Sequence, residues 1–347
     1  MSGATYRFFA AAFIAVLMLG CKDGNGGRHD FLPPIGQNSA SPAVNAGSAA
    51  VSSPSCSYSN NVVPVQVGNC PSSPASSTAT SPSQHYSAAP SASPAAQAPA
   101  PAGGIRVPAQ TALPDIQIGG GTLDMNAAGL YELDGFETTA ATVSALHALG
   151  KYVVCYYSAG TYENWRSDAS SFPAAVLGSS NGWPGEQWLD ISQTAILEPI
   201  MVKRMQMCKS KGFDATDADN IDGYENSTGF PLTGAEQLTY DEYLPQQAHL
   251  LGLAAAQKND PDQVAQMVNF FDFQVAEECY SYQECAQYSP YRQQGKLVVD
   301  IEYTNDGKAS VSAATFASSV CPQDKGTLGF VPILTDLNLD AMPSFCP

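Results

Sequence analysis

A chain of 347 residues with 32 Asp and Glu against 15 Lys and Arg carries a formal charge of −17. Such a chain lacks the clustered Lys and Arg that phosphate binding requires, so nucleic acid is excluded as a partner. The length exceeds one average domain, yet a single (β/α)8 barrel of roughly 250 residues with appendages accounts for it.

Residues 1–20 hold Arg7 in a short polar start, then an apolar run ending at Gly20-Cys21. The run is too short to span a bilayer and reads as a secretory signal peptide. Met18-Leu19-Gly20-Cys21 resembles a bacterial lipobox, which makes Cys21 the candidate lipidation site. Lys22 at the next position is compatible with transfer to an outer membrane. The expected location is therefore exported: an envelope lipoprotein held to a membrane by its lipid anchor, or a secreted protein.

Residues 21–110 read as a disordered tether. From 31 to 105 there is no Asp, Glu, Lys or Arg, and Ser, Ala and Pro dominate. That composition cannot bury enough apolar surface to offset chain entropy. Nine cysteines less Cys21 leave eight, an even number that suits an oxidising compartment. Cys279 with Cys285 and Cys321 with Cys346 are expected as disulfides. Cys56 and Cys70 are expected to close a loop in the tether. Cys155 and Cys208 are either a further pair, or Cys155 is a buried thiol in a strand. No Cys-x-x-Cys or His-rich cluster occurs, so neither a metal nor a cofactor is expected.

Residues 111–347 hold the fold. Strand-like runs recur at 115–119, 130–136, 151–158, 213–219, 252–258, 271–277, 296–303 and 327–333, most of them separated by helical patterns. This alternation predicts parallel strands with crossover helices. Gly150 and Gly212 stop two of the helices, and Thr233 with Glu236 forms a capping box ahead of a third, which Pro245 is expected to kink. Eight units over this span favour a closed (β/α)8 barrel over an open sheet, and the dinucleotide-binding glycine fingerprint is missing.

In a barrel the site lies at the C-terminal rim. Two strands end there in carboxylates, in Asp217-Ala-Asp-Asn-Ile-Asp222 and in Glu277-Glu278, and a pair of opposed carboxylates is what glycoside hydrolysis requires. The remaining rim candidates for substrate binding are Glu137, Tyr157, Ser158, Asn220, Asp222, Lys258, Asp260, Glu302 and Tyr303. Residues 111–347 contain 30 Asp and Glu against 11 Lys and Arg, a formal charge of −19, which fits a cationic ligand as well as simple solubility. A calcium loop at Asp217–Gly223 fails on spacing, because Ile221 falls on a ligand position. Trp165, Trp183 and Trp188 either stack on sugar rings or pack beneath loops. His147 and His249 fall on helices away from the rim and read as structural.

Six segments in order resemble glycoside hydrolase family 114: Tyr156-Tyr-Ser-Ala-Gly-Thr-Tyr-Glu-Asn-Trp-Arg166, Gly182-Trp-Pro-Gly-Glu-Gln-Trp-Leu-Asp190, Asp219-Asn-Ile-Asp-Gly-Tyr224, Thr228-Gly-Phe-Pro-Leu-Thr233, Lys258-Asn-Asp260 and Glu277-Glu-Cys279. The chain departs from the family pattern at Ala218, where Pro is usual, and at Ala276, where Asn is frequent. The resemblance implies a barrel enzyme that cleaves α-1,4-linked galactosaminan internally, with retention favoured. The polymer's free amines are cationic, in keeping with the acidic domain. The family's catalytic aspartate falls on Asp219, read as the nucleophile or electrostatic base, and its glutamate on Glu277, read as the acid. A monomer is expected. The competing readings are a carbohydrate-binding barrel without turnover and a structural surface lipoprotein.

Overall fold

Eight short runs of mostly apolar residues, buried on both faces, pair side by side in chain order. They are β1 (Pro114–Gln117), β2 (Leu130–Asp134), β3 (Tyr152–Ser158), β4 (Ala215–Asp219), β5 (Ala254–Lys258), β6 (Phe273–Glu277), β7 (Val298–Tyr303) and β8 (Val331–Thr335). Every neighbouring pair is parallel, as near-continuous burial on both faces demands. All eight overlap the strands expected from the sequence, the last in three residues only, because Thr327 and Leu328 still belong to the preceding helical segment Pro322–Leu328. This is a computed structural model and describes residues 104–347 except Lys308. The expected signal peptide, Cys21, Cys56, Cys70 and most of the expected tether lie outside the described residues.

The sheet curls into a (β/α)8 barrel. Its first and eighth strands meet through the loops that follow them, where the Gly119 N–H donates to the Leu339 carbonyl at 3.1 Å. The run Gly119–Gly121 makes this approach possible. A Cβ on Gly119 would stand 1.9 Å from the Asn338 carbonyl oxygen, and one on Gly121 2.0 Å from that of Asp340. Ser344–Phe345 adds a short antiparallel strand beyond β8.

Three long helices pack outside: α1 (Ala140–Ala148), α2 (Thr194–Lys211) and α3 (Gly234–Leu250). Thr139 caps α1, and Gly212 closes α2 at φ 93°. The Thr233–Glu236 capping box opens α3, which runs on through Pro245 to Leu250. His147 and His249 sit at the ends of α1 and α3. They pair with Asp214 (2.9 Å) and Asp272 (2.8 Å), which also accept the backbone N–H of Val153 and Ala255. Both clasps lie at the N-terminal ends of the strands, opposite the C-terminal rim. The fold begins upstream of residue 111, since Arg106 already bonds Asp214 at 2.8 Å and its carbonyl accepts from the Tyr152 hydroxyl.

Alternation along the strands separates two cores. Ile116, Leu130, Val154, Ala215, Ala256, Val275 and Ile301 fill the barrel, while Leu133, Val153, Cys155, Ala218, Ala255 and Ala276 meet the helices. Disulfides join Cys155–Cys208, Cys279–Cys285 and Cys321–Cys346. Two of these are the expected pairs. The first resolves the alternative at Cys155, tying β3 to α2.

After β3 the chain makes an excursion of three antiparallel strands, Thr161–Glu163, Leu177–Ser180 and Glu186–Leu189, with the last in the middle. Two buried arginines fasten it to the barrel. Arg204 on α2 forks onto Asp168 (2.8 and 2.9 Å) and donates to the Ser158 carbonyl (2.6 Å). Arg166 joins Glu163 (2.7 Å) to Asp134 on β2 (2.7 Å). The excursion therefore stands against the rim at the ends of β3 and β4.

Candidate active site

The inward phase of β4, β5 and β6 ends in Asp219, Lys258 and Glu277, and the curl of the sheet brings the three together. Lys258 Nζ donates to Asp219 Oδ1 at 3.0 Å and to Glu277 Oε2 at 2.6 Å. The side chains of Asp219 and Glu277 are 16% and 24% exposed and that of Lys258 only 7%, so the carboxylates face the opening while the ammonium lies below. Burial alone would lower the Lys258 pKa. The carboxylates of Asp219, Glu277 and Asp217 outweigh it and hold the group charged.

Each carboxylate has further donors. Asp219 accepts from the Tyr156 hydroxyl (2.8 Å), the Asn220 N–H (2.8 Å) and the Asn220 amide (3.1 Å). Glu277 accepts from the Asn259 amide (2.9 Å) and the Tyr303 hydroxyl (2.5 Å). Burial pushes the Glu277 pKa up, but Lys258 and these hydrogen bonds bring it below the usual glutamate range. The residues just past β4, β5 and β6 are wound tightly to make this geometry. Asn220 (φ 63°), Asn259 (50°), Asp260 (53°) and Glu278 (56°) all lie in the left-handed region without being glycine, a strain typical of functional sites.

The other rim candidates divide. Asn220, Lys258 and Tyr303 contact the carboxylate pair directly. Asp222 is buried beside it, and its burial followed by the charge of Asp219 raises its pKa to about 7. Ser158 is buried as a brace, its hydroxyl touching Thr161 (2.5 Å) and accepting from Asn220 (3.1 Å). Glu137 is exposed at a separate cavity of about 320 Å³ above β1 and β2, lined also by Gly119–Gly121 and Thr138.

Three expectations are corrected. Tyr157 is fully buried in the outer core, because it is out of phase with Ser158 and Asp219; Tyr156, one residue earlier, takes the inward position. Glu302 is likewise on the outward face of β7, where it accepts from the Tyr280 N–H (2.9 Å) and the Ser281 hydroxyl (2.6 Å). Asp260 is sealed from solvent and accepts from the Tyr224 hydroxyl at 3.0 Å, so it supports the wall and does not reach the cleft. Tyr156 and Asn259 were not among the expected site residues. Strand phase points to the first, and the Lys258-Asn-Asp260 segment contains the second.

Below the pair, Glu132 on β2 and Asp217 on β4 face each other inside the barrel. Burial raises both, Asp217 to about 7, and their mutual contact is attractive when one of them carries a proton. Asp260 (about 8) and Glu278 (about 9) are also raised, first by burial. A carboxyl whose folded pKa exceeds its unfolded value of about 4 contributes stability that is complete below that value and lost as pH climbs through the folded one. For these groups the loss falls between about pH 4 and 9. The melting temperature should therefore decline from pH 5 to pH 9 by roughly 10 °C, read by calorimetry in matched ionic strength. A melting temperature that rises across that range would contradict these protonation states.

A family model for glycoside-hydrolase family GH114 matches residues 94–347. Among solved structures, Ega3 of Aspergillus fumigatus, crystallised in complex with galactosamine, is 32% identical and superposes with a TM-score of 0.65, covering 70% of this chain and 98% of that one. The glycoside hydrolase domain of PelA from Pseudomonas aeruginosa is 13% identical with a TM-score of 0.52, covering 67% of this chain and 98% of that one, a likeness of fold alone. No curated protein matches the chain.

Proposed function

The chain belongs to glycoside-hydrolase family GH114, and from that premise we propose that it is an exported, endo-acting hydrolase of α-1,4-linked galactosaminan or a related amino-sugar polymer, with Asp219 and Glu277 as its working carboxylates. The observation that carries this reading is the Lys258 bridge. Two oxygens that share one ammonium at 3.0 and 2.6 Å can be no further apart than those bonds laid end to end, about 5.6 Å. That ceiling applies to the two bridged oxygens, and it fits the retaining arrangement, whose carboxyls stand about 5 to 5.5 Å apart, better than the wider gap of an inverting one.

In this mechanism Asp219 attacks the anomeric carbon while Glu277 protonates the departing oxygen; Glu277 then deprotonates the water that releases the glycosyl group from Asp219. Tyr156 and Asn220 orient Asp219 for attack. Tyr303 and Asn259 hold Glu277. The fit of a galactosamine polymer rests on the galactosamine complex of the 32% identical Ega3 and on the acidic charge of the domain. Export is supported by the three disulfides, with residues 1–20 as signal, Cys21 as lipid anchor and the stretch from there to the residues just before Arg106 as tether. A binding barrel without turnover would not need both carboxylates accessible and bridged.

The acid must be protonated to act, and the donors around Glu277 keep its pKa low. We therefore expect kcat/KM to be highest at acidic pH and to fall as pH rises, following loss of the Glu277 proton. A rate that is level from pH 5 to 8 would reassign the acid. The function itself is tested by incubating the full chain with deacetylated galactosaminan and sizing the products by mass spectrometry. A ladder of oligosaccharides is expected. An intact polymer, or release of monosaccharide alone, would overturn the endo-acting reading.

A further inference from the structure

The excursion after β3 carries a carboxyl that the hydrolytic pair does not use. Glu186 opens the central strand of that small sheet and closes the turn Trp183-Pro-Gly-Glu186 through its own N–H to the Trp183 carbonyl (3.1 Å). One oxygen is fixed: Oε2 accepts from the Asn181 amide (2.5 Å) and the Thr161 hydroxyl (3.1 Å). No described residue donates to the other oxygen, Oε1, and it is not sealed from solvent. Thr161 in turn accepts from the Asn220 amide (3.4 Å), which also holds Asp219 (3.1 Å). Glu186 is thus coupled to the cleavage centre through two side chains; the charge of Asp219 acts on Glu186, and the charge of Glu186 acts on Tyr156.

Among the described residues no cation pairs with Glu186. Arg166 is committed to Glu163 and Asp134, and Lys258 to Asp219 and Glu277. The charged groups that act on Glu186 are Glu163 and Asp219, both negative, and with burial as the leading cause its pKa is pushed up to about 7. A carboxyl clamped along one edge, open along the other and without a protein counterion is completed by a cation from outside. The same turn presents Trp183, 42% exposed, as an apolar face of the kind that stacks on a sugar ring.

We propose that Glu186 selects the free amine of the substrate, its Oε1 accepting a charge-assisted hydrogen bond from the ammonium of a sugar ring bound beside Asp219. This deepens the galactosaminan reading and rests on it for the identity of the sugar. An N-acetylated ring would offer a neutral amide to the same carboxylate and leave the charge uncompensated. Preference for deacetylated over acetylated polymer follows from one residue of the excursion, outside the barrel proper.

The test is a binding comparison that does not depend on turnover. Calorimetric titration of the full chain and of Glu186→Gln is made with a galactosamine trisaccharide and with its fully N-acetylated counterpart. Gln keeps the acceptor for Asn181 and Thr161, and native circular dichroism and melting confirm the fold. The wild type should prefer the amine form, and the variant should lose roughly 10- to 100-fold in affinity for that form alone. Retained affinity for the amine form, equal losses for both ligands, or a wild type indifferent to acetylation would each overturn the proposal. A wild type that binds the amine form through Glu186 yet leaves polymer uncut would defeat the proposed function and leave this inference standing.

Discussion

Asp219→Asn and Glu277→Gln should each yield a folded barrel whose hydrolysis of galactosamine polymer is slower by at least about 10² to 10⁴, the usual worth of general acid–base assistance. Each substitution keeps the size of the side chain and removes the carboxylate function. The two variants should differ with a substrate whose leaving group needs no protonation. Glu277→Gln should recover much of its first step there, because the acid is no longer required. Asp219→Asn should stay inactive on both substrates, because no nucleophile remains. The Lys258 bridge adds a structural control. Each variant leaves the ammonium one carboxylate partner, so circular dichroism and melting should stay near wild type. Near-normal turnover in either folded variant would end the assignment of that residue.

The largest stability effect is expected at Arg204. Its side chain is 1% exposed and satisfies Asp168 with two hydrogen bonds, the Ser158 carbonyl with a third and Glu163 with a longer contact at 3.6 Å. Arg204→Met fills much of the volume but leaves the buried Ser158 carbonyl without this donor, Glu163 with Arg166 alone and the partly exposed Asp168 without its fork. Removing one member of a buried ionic network costs about 3–5 kcal/mol, and for a domain of this size the melting temperature should fall by roughly 10 °C or more. Arg204→Lys should be intermediate, since it keeps the charge and loses the planar fork onto Asp168. The same substitution loosens the excursion that carries Glu186, so loss of the preference for amine-bearing ligand should accompany the loss of stability. A melting temperature within 2 °C or so of wild type in Arg204→Met would mean that the network contributes little.

Much of this architecture was legible in the chain, for identifiable reasons. A parallel barrel strand is buried on both faces, so runs such as Tyr152–Ser158 and Val298–Tyr303 announce themselves as strands. The same property hides their phase. With both faces apolar, nothing in Tyr156-Tyr157 says which ring points inward, and Glu302-Tyr303 poses the same problem. Phase becomes readable only by counting back from a residue whose direction is known, such as Asp219, paired with Ser158 in register. Asp219 and Glu277 were legible because a carboxylate that ends an apolar strand has few structural uses. Asp260 misled because its backbone turns left-handed at φ 53° and buries the side chain, which spacing alone does not encode. Glu186 escaped because it lies on an excursion whose approach to Asp219 is set by the Arg204 and Arg166 networks, contacts between residues far apart in sequence.

The separation of Asp219 and Glu277 makes a stereochemical claim that a single measurement can reach. Proton NMR of the reducing ends, recorded in the first minutes of galactosaminan cleavage before mutarotation, reports the anomer that the enzyme releases. Two carboxylates bridged by one ammonium at 3.0 and 2.6 Å predict a double displacement, and the first-formed reducing ends should be α, as in the polymer. First-formed β ends would show a water attacking across a wider gap and would contradict the pairing of Asp219 with Glu277 as nucleophile and acid.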